Sequence, residues 1–141
     1  MPDALDQSTY LAVLARSPAG TVKQFAEELM PELGAIDVLA NRTGLVMVPM
    51  EETAQGAAFY LGEVLVAEAH VRAAGAEGYA ACLGRDLEQA LAIALIDAAV
   101  AGGVARARIA AFVSDQVDAL DAAEQELLRQ VAATRVEMET F

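Results

Sequence analysis

The helix predicted to open at Asp86 and run to about Ala101 constrains this chain more than any other segment. At helical spacing, Leu87, Leu91 and Leu95 fall on one side of it and Ile93, Ile96 and Val100 on another. A helix that is apolar on two sides is either central to its fold or covered by a second molecule. Both ends are marked. Asp86 can accept a hydrogen bond from a first-turn N–H, Glu88 adds favourable charge there, and Gly102-Gly103 stops the helix. Either the other elements are arranged around this one or a partner covers it.

Ahead of it, residues 4–16 place Leu5, Leu11, Leu14 and Ala15 near one face, which predicts a short amphipathic helix ended by Ser17-Pro18. A second helix is predicted from Thr21 to Met30, with Val22, Phe25, Ala26 and Leu29 inward and Pro31 and Gly34 closing it. The period then changes. Ile36 to Ala40 is a short apolar run, Asn41-Arg42-Thr43-Gly44 a turn signal, and Leu45 to Val48 a further apolar run, together a hairpin or bent strand pair. Glu51 to Gly56 reads as a polar loop. From Val64 to Arg72 the chain alternates, with Leu65, Ala67, Ala69 and Val71 on one face and Glu68, His70 and Arg72 on the other, the mark of a half-buried strand. Gly75 and Gly78 bracket a turn before a strand at Tyr79 to Leu83. Residues 104–113 fit neither period cleanly. A final helix is predicted from Ala119 to about Arg135, with Leu120, Ala123, Leu127, Leu128 and Val131 inward. The expectation is an α+β fold over residues 1–141 as a single domain: a small antiparallel sheet of about four strands, packed with N-terminal helices, a central apolar helix and a long C-terminal helix.

Composition removes several classes of function. A formal net charge of −12, with Lys23 the single lysine, is opposed to nucleic acid and to an anionic membrane surface. The longest apolar stretches are broken by charge before the roughly 18–20 residues a bilayer span requires. The acidic start Met1-Pro2-Asp3-Ala4-Leu5-Asp6 lacks the basic character of a secretory signal, and a lone Cys82 fits a reducing compartment, so a cytoplasmic location is expected. Lys23 lies outside any Gly-Lys-Ser/Thr context, no GxGxxG run follows a strand, and one Cys with one His cannot build a zinc or iron–sulfur site. Carboxylate-only sites remain open among 21 acidic residues.

The motifs each carry two readings. Gly84-Arg85-Asp86 is a glycine turn and a helix cap, or else it presents the Arg85 guanidinium beside a helix N-terminus for phosphate, phosphonate or carboxylate. Thr134-Arg135-Val136 ends the last helix, where Arg135 complements the helix dipole or begins a tail that docks on a neighbour. Thr43 and Gly44 read most economically as turn residues. Phe59 and Tyr60, before Gly62-Glu63, would anchor a strand edge in a core or interface. His70 beside Glu68 is a proton-transfer group or a surface histidine. Cys82 behaves as a small buried hydrophobe. Asp97, within an apolar helix, faces solvent or pairs with an arginine of a partner, since an unpaired buried carboxylate is costly.

Arg42-Thr43-Gly44-Leu45-Val46, Phe59-Tyr60-Leu61-Gly62-Glu63-Val64, Gly84-Arg85-Asp86, Ala94-Leu95-Ile96-Asp97-Ala98 and Thr134-Arg135-Val136 occur in an order and spacing that resemble the PhnG family, the G subunit of the bacterial carbon–phosphorus lyase core complex. The resemblance covers about Arg42 to Thr140. It departs from the family where Met138 and Glu139 stand at positions usually aromatic.

The resemblance implies a cytoplasmic accessory subunit assembled with H, I and J subunits, I most directly, and with K and L proteins more peripherally. It also implies a part, with H, I and L, in transferring the ribose triphosphate moiety of ATP to an alkylphosphonate with release of adenine, ahead of carbon–phosphorus bond cleavage. ATP and phosphonate are then substrates of the complex, no cofactor or metal is expected on this chain alone, and the family supplies no catalytic residue to carry over. Ligand or interface candidates are Arg85, Asp86, Arg135, Asp97 and His70, with Thr43, Gly44, Gly62 and Gly84 structural. Two other readings stay open from the residues themselves: a stand-alone, homo-oligomeric binding module, and an enzyme whose carboxylates hold a metal.

Overall fold

A computed structural model describes residues 5–51, 53–54 and 56–139, with the backbone alone for residues 60 and 136–139. Positions 52 and 55 of the expected 51–56 loop, the expected anchoring by the Tyr60 side chain, and residues 1–4 and 140–141 lie outside the described set. The elements run α1 (Gln7–Arg16), α2 (Ala19–Leu33), β1 (Asp37–Glu51), β2 (Ala58–Ala73), β3 (Ala76–Leu83), α3 (Leu87–Ala101) and α4 (Arg106–Glu139). The class is α+β, with N-terminal, central and long C-terminal helices around an antiparallel meander in the order β1-β2-β3.

α3 lies at the centre, as its composition requires. Every residue from Ala92 to Val100 is buried. One side rests on the inner face of β2 and β3, where Ala67, Ala69, Val71, Ala80 and Cys82 are buried, and α2 covers another through Val22, Ala26 and Leu29. The alanines allow a close approach. At Gly78 a Cβ would lie 2.0 Å from the Ala94 carbonyl oxygen and 2.6 Å from the Ala98 nitrogen, so only glycine lets β3 reach the helix. The caps are those predicted. Asp86 Oδ1 accepts from the Gln89 N–H at 3.0 Å, and Gly102 N–H returns to the Ala98 carbonyl at 2.9 Å.

α1 begins on an Asp6 cap, whose carboxylate accepts from the Thr9 N–H at 3.1 Å, and stops at Ser17. α2 continues through Pro31 rather than ending at Met30. Burying Leu33 favours the extra turn, the Leu33 carbonyl accepts from the Ala74 N–H at 3.2 Å, and Gly34 at φ 72° ends the helix.

Two of the expected strands, 36–40 and 45–48, are halves of β1. Arg42, Thr43 and Gly44 do not turn; they pair with Glu68, Ala67 and Val66 of β2, and pairing along the whole strand overrides the local turn signal. The register shifts between Val38 and Ala40 and between Val48 and Pro49, and Gly62 lies opposite Val48 at the second of these shifts. β3 pairs only with residues 66–73 of β2, so residues 58–65 pair with β1 alone as a two-stranded ribbon.

The last helix is longer than expected and oriented differently. The ambiguous stretch 104–113 supplies its first turns, in which Ile109 and Val113 are buried and Phe112 stacks on Phe25 with ring centroids 4.0 Å apart. From residue 121 to 135 every side chain is exposed. Leu127, Leu128 and Val131, expected inward, are therefore on the surface; the apolar spacing was correctly periodic, but no other element among the described residues covers it. No helix of the described residues is long and apolar enough to cross a membrane.

Candidate functional site

Period-two alternation in β2 and β3 that buries Ala67, Ala69, Ala80 and Cys82 sends Glu68, His70, Arg72, Glu77 and Tyr79 to the opposite face of the sheet, with Arg42 of β1 paired beside Glu68. There they form one connected polar surface. Glu68 accepts from Arg42 Nε and from the Tyr79 hydroxyl, each at 2.6 Å. Glu77 accepts from Arg72 Nη2 at 2.9 Å, and its other oxygen lies 3.2 Å from His70 Nε2. The His70 and Tyr79 rings meet edge to face at 6.3 Å. The tyrosine hydroxyl and then Arg42 hold the Glu68 carboxyl below its usual range, and Arg72 followed by His70 does the same for Glu77. Both guanidiniums already face carboxylates, so this surface presents balanced charge rather than a cation cluster for a polyphosphate.

Tyr79 links that face to the interior. Its backbone N–H donates to Asp97 Oδ2 at 2.9 Å. Asp97 is 3 % exposed and also accepts from Gln7 Nε2 at 3.1 Å and from the Tyr10 hydroxyl. It therefore does not face solvent. Three donors from α1 and β3 satisfy it within the chain, and burial, followed by the Asp97 hydrogen bond, pushes the Tyr10 phenol well above its ordinary pKa. A shallow cleft lined by Gln7, Tyr10, Asp97 and Arg106 opens beside it.

The remaining candidates are spread over the molecule. Gly84, at φ 103°, makes the turn into α3 that glycine favours, and its N–H donates to the Leu65 carbonyl at 2.9 Å. Asp86 caps α3 and also meets Lys23 Nζ at 2.8 Å; that ion pair and then the Gln89 N–H hold its carboxyl below its usual range. Arg85, between them, is exposed and makes no hydrogen bond or ion pair among the described residues. Asp97 lies eleven residues beyond the Asp86 cap along α3, roughly 16 Å away. Arg135 is exposed on the far part of α4. Arg85, Asp97 and Arg135 thus do not form one site. Burial raises the Cys82 thiol pKa and disfavours a reactive thiolate. Among the described residues no three His, Cys, Asp or Glu side chains converge to hold a metal.

Sequence reasoning missed Tyr10, Gln7, Tyr79 and Glu77. The alternation of Glu77, Tyr79 and Ala81 against Gly78, Ala80 and Cys82 was a signal for the outer face; nothing local marked Tyr10 as a partner of Asp97.

The ribbon formed by β1 and β2 leaves large apolar side chains in solvent on both faces. Leu45, Val46, Met47, Met50, Phe59 and Leu61 are all exposed, Leu61 at 65 %. Exposed apolar side chains grouped in this way are uncommon on a surface that stays in water. A two-stranded ribbon is also only marginally stable by itself in water.

Against this geometry, a family model described as "Phosphonate metabolism protein PhnG" matches residues 6–141. The chain is also 31 % identical over 132 residues to the alpha-D-ribose 1-methylphosphonate 5-triphosphate synthase subunit PhnG of Rhizobium meliloti (strain 1021), covering 93 % of this chain and 85 % of that protein. The match extends the resemblance through α1 and α2, which the motifs had left outside it, and the chain belongs to the PhnG family of phosphonate metabolism proteins.

Proposed function

We propose that this chain is an accessory subunit of a ribose 1-phosphonate 5-triphosphate synthase assembly, acting with H, I and L proteins. In this reading the assembly joins the ribose triphosphate of ATP to an alkylphosphonate and releases adenine, before a J subunit takes part in carbon–phosphorus cleavage. The chain binds no cofactor alone. It packs most directly against the I subunit, in the cytoplasm, and holds that subunit's active site in a competent shape.

The observation that carries this reading is the ribbon of residues 43–51 and 58–65. Its two apolar faces are stable in water when another protein covers them, and the polar sheet face beside it is already charge-balanced. Arg85 adds a second element: an exposed guanidinium at a helix start, free of ion pairs among the described residues, suits contact with an anion in a site completed by a partner.

Co-expression with the H, I and J proteins of the same organism, purified through a tag on this chain, tests the reading. A stable complex is expected. A solitary protein would contradict it and favour a stand-alone module, and stoichiometric Mg, Mn or Zn on that protein would favour a carboxylate–metal enzyme.

A further inference from the structure

α4 is 34 residues long, about 50 Å at helical rise, and only its first third is held by the rest of the chain. A single row runs down it at alternating spacings of four and three: Ile109, Val113, Gln116, Leu120, Ala123 and Leu127. The first three are buried, Leu120 is half-buried, and beyond it the row leaves the domain. Leu127, Leu128 and Val131 are then 60 %, 60 % and 58 % exposed. An isolated helical stretch of this length is marginal in water, so a covering surface would stabilise both its backbone and its apolar row.

The charges select the kind of cover. Asp115, Asp118, Asp121, Glu124 and Glu126 are five acids in twelve residues with no Lys or Arg among them. Arg129, which follows, lies 3.1 Å from Glu126. A second copy laid parallel would set this acidic run against itself. Laid antiparallel, the run would face residues 127–135, where Arg129 is already paired with Glu126 and Arg135 also has a partner. Neither arrangement gains electrostatically. A groove rimmed with Lys or Arg does.

We propose that residues 120–135 of α4 form a docking helix for a different protein, one that offers an apolar groove with a basic rim. This rests on the accessory-subunit reading and adds to it a second contact, distinct from the β1–β2 ribbon.

The test uses the full chain co-expressed with the H, I and J proteins and captured through a tag. Leu127→Glu combined with Val131→Glu changes only exposed side chains, so circular dichroism and thermal melting should match the unaltered protein. The amount of partner retained should fall about tenfold or more, the effect of losing an interface anchor. A second variant, Asp121→Lys with Glu124→Lys, should weaken retention at low salt and flatten its salt dependence. Unchanged retention by the first variant beside a captured complex overturns the docking helix and leaves the accessory-subunit reading intact. Capture of nothing by the unaltered chain overturns both. A dimer of the isolated chain in sedimentation, dissolved by Leu127→Glu with Val131→Glu, overturns the proposed partner in favour of a second copy.

Discussion

The Tyr10 phenol on α1 donates to the Asp97 carboxylate in the middle of α3, two groups 87 residues apart in sequence. With Gln7 Nε2 and the Tyr79 N–H on the same carboxylate, this one side chain ties the first helix and the third strand to the central helix. A buried carboxylate with three donors is tolerated where a bare one would not be.

Asp97→Ala should therefore cost about 2–4 kcal/mol, because it leaves buried donors on both neighbours without an acceptor. Tyr10→Phe should cost less, about 1–2 kcal/mol, since Gln7 and Tyr79 still serve the carboxylate. Urea unfolding of both variants checks the order. Equal costs would mean that the phenol alone holds the site.

The same pair predicts a loss of stability in alkali. The native Tyr10 pKa is raised above its unfolded value near 10 by burial and by Asp97. Its contribution is therefore fully present below pH ~10 and is lost as pH rises through the native pKa, with a limiting slope of about 1.4 kcal/mol per pH unit. Unfolding free energy measured from neutral pH upward should decline beyond that point, and Tyr10→Phe should remove this part of the decline.

Gly78→Ala should destabilise by about 1–3 kcal/mol or more, because the added methyl meets the α3 backbone, which cannot move aside as a flexible side chain would. Gly44→Ala should be close to neutral. No atom lies within 4 Å of a Cβ built there, and its φ is not positive. Thermal melting of the two variants separates a glycine needed for close approach from one that merely sits in a strand.

At the start of α3, Asp86→Ala should lower Tm by a few degrees through the lost cap. The Asp86 pKa is lowered in the folded state by Lys23 and then by the Gln89 N–H. Its contribution is present above the unfolded value near 3.9 and disappears as pH falls through the native one. The difference between the unaltered protein and Asp86→Ala should accordingly vanish in acid.

Arg85→Ala should leave Tm unchanged, as expected for an exposed side chain without partners among the described residues. If Arg85 reaches an anionic substrate in the assembled complex, adenine release should fall about tenfold or more with the complex intact. An unchanged rate would remove Arg85 from the site.

α3 was legible because its signals are local: Asp86 and Gly102 act on their own turns, and apolar residues on two sides require cover from two sides. β1 was divided at Thr43-Gly44 because turn chemistry is local, whereas pairing with β2 depends on residues more than twenty positions away. Leu127 and Val131 were assigned inward because periodicity reports an apolar face without naming the molecule that covers it. Asp97 was correctly marked as costly to bury unpaired, but its donors at positions 7, 10 and 79 are not adjacent in sequence. The family motifs, by contrast, pointed to the same family as the comparison over the whole chain.

An adenine-releasing assembly of this composition should require this chain. The direct measurement is adenine release from ATP and methylphosphonate by the reconstituted G, H, I and L proteins, with this chain omitted and then restored. Release should be negligible without it and recover on adding the purified chain. Undiminished release in its absence would show that the chain is not a required subunit.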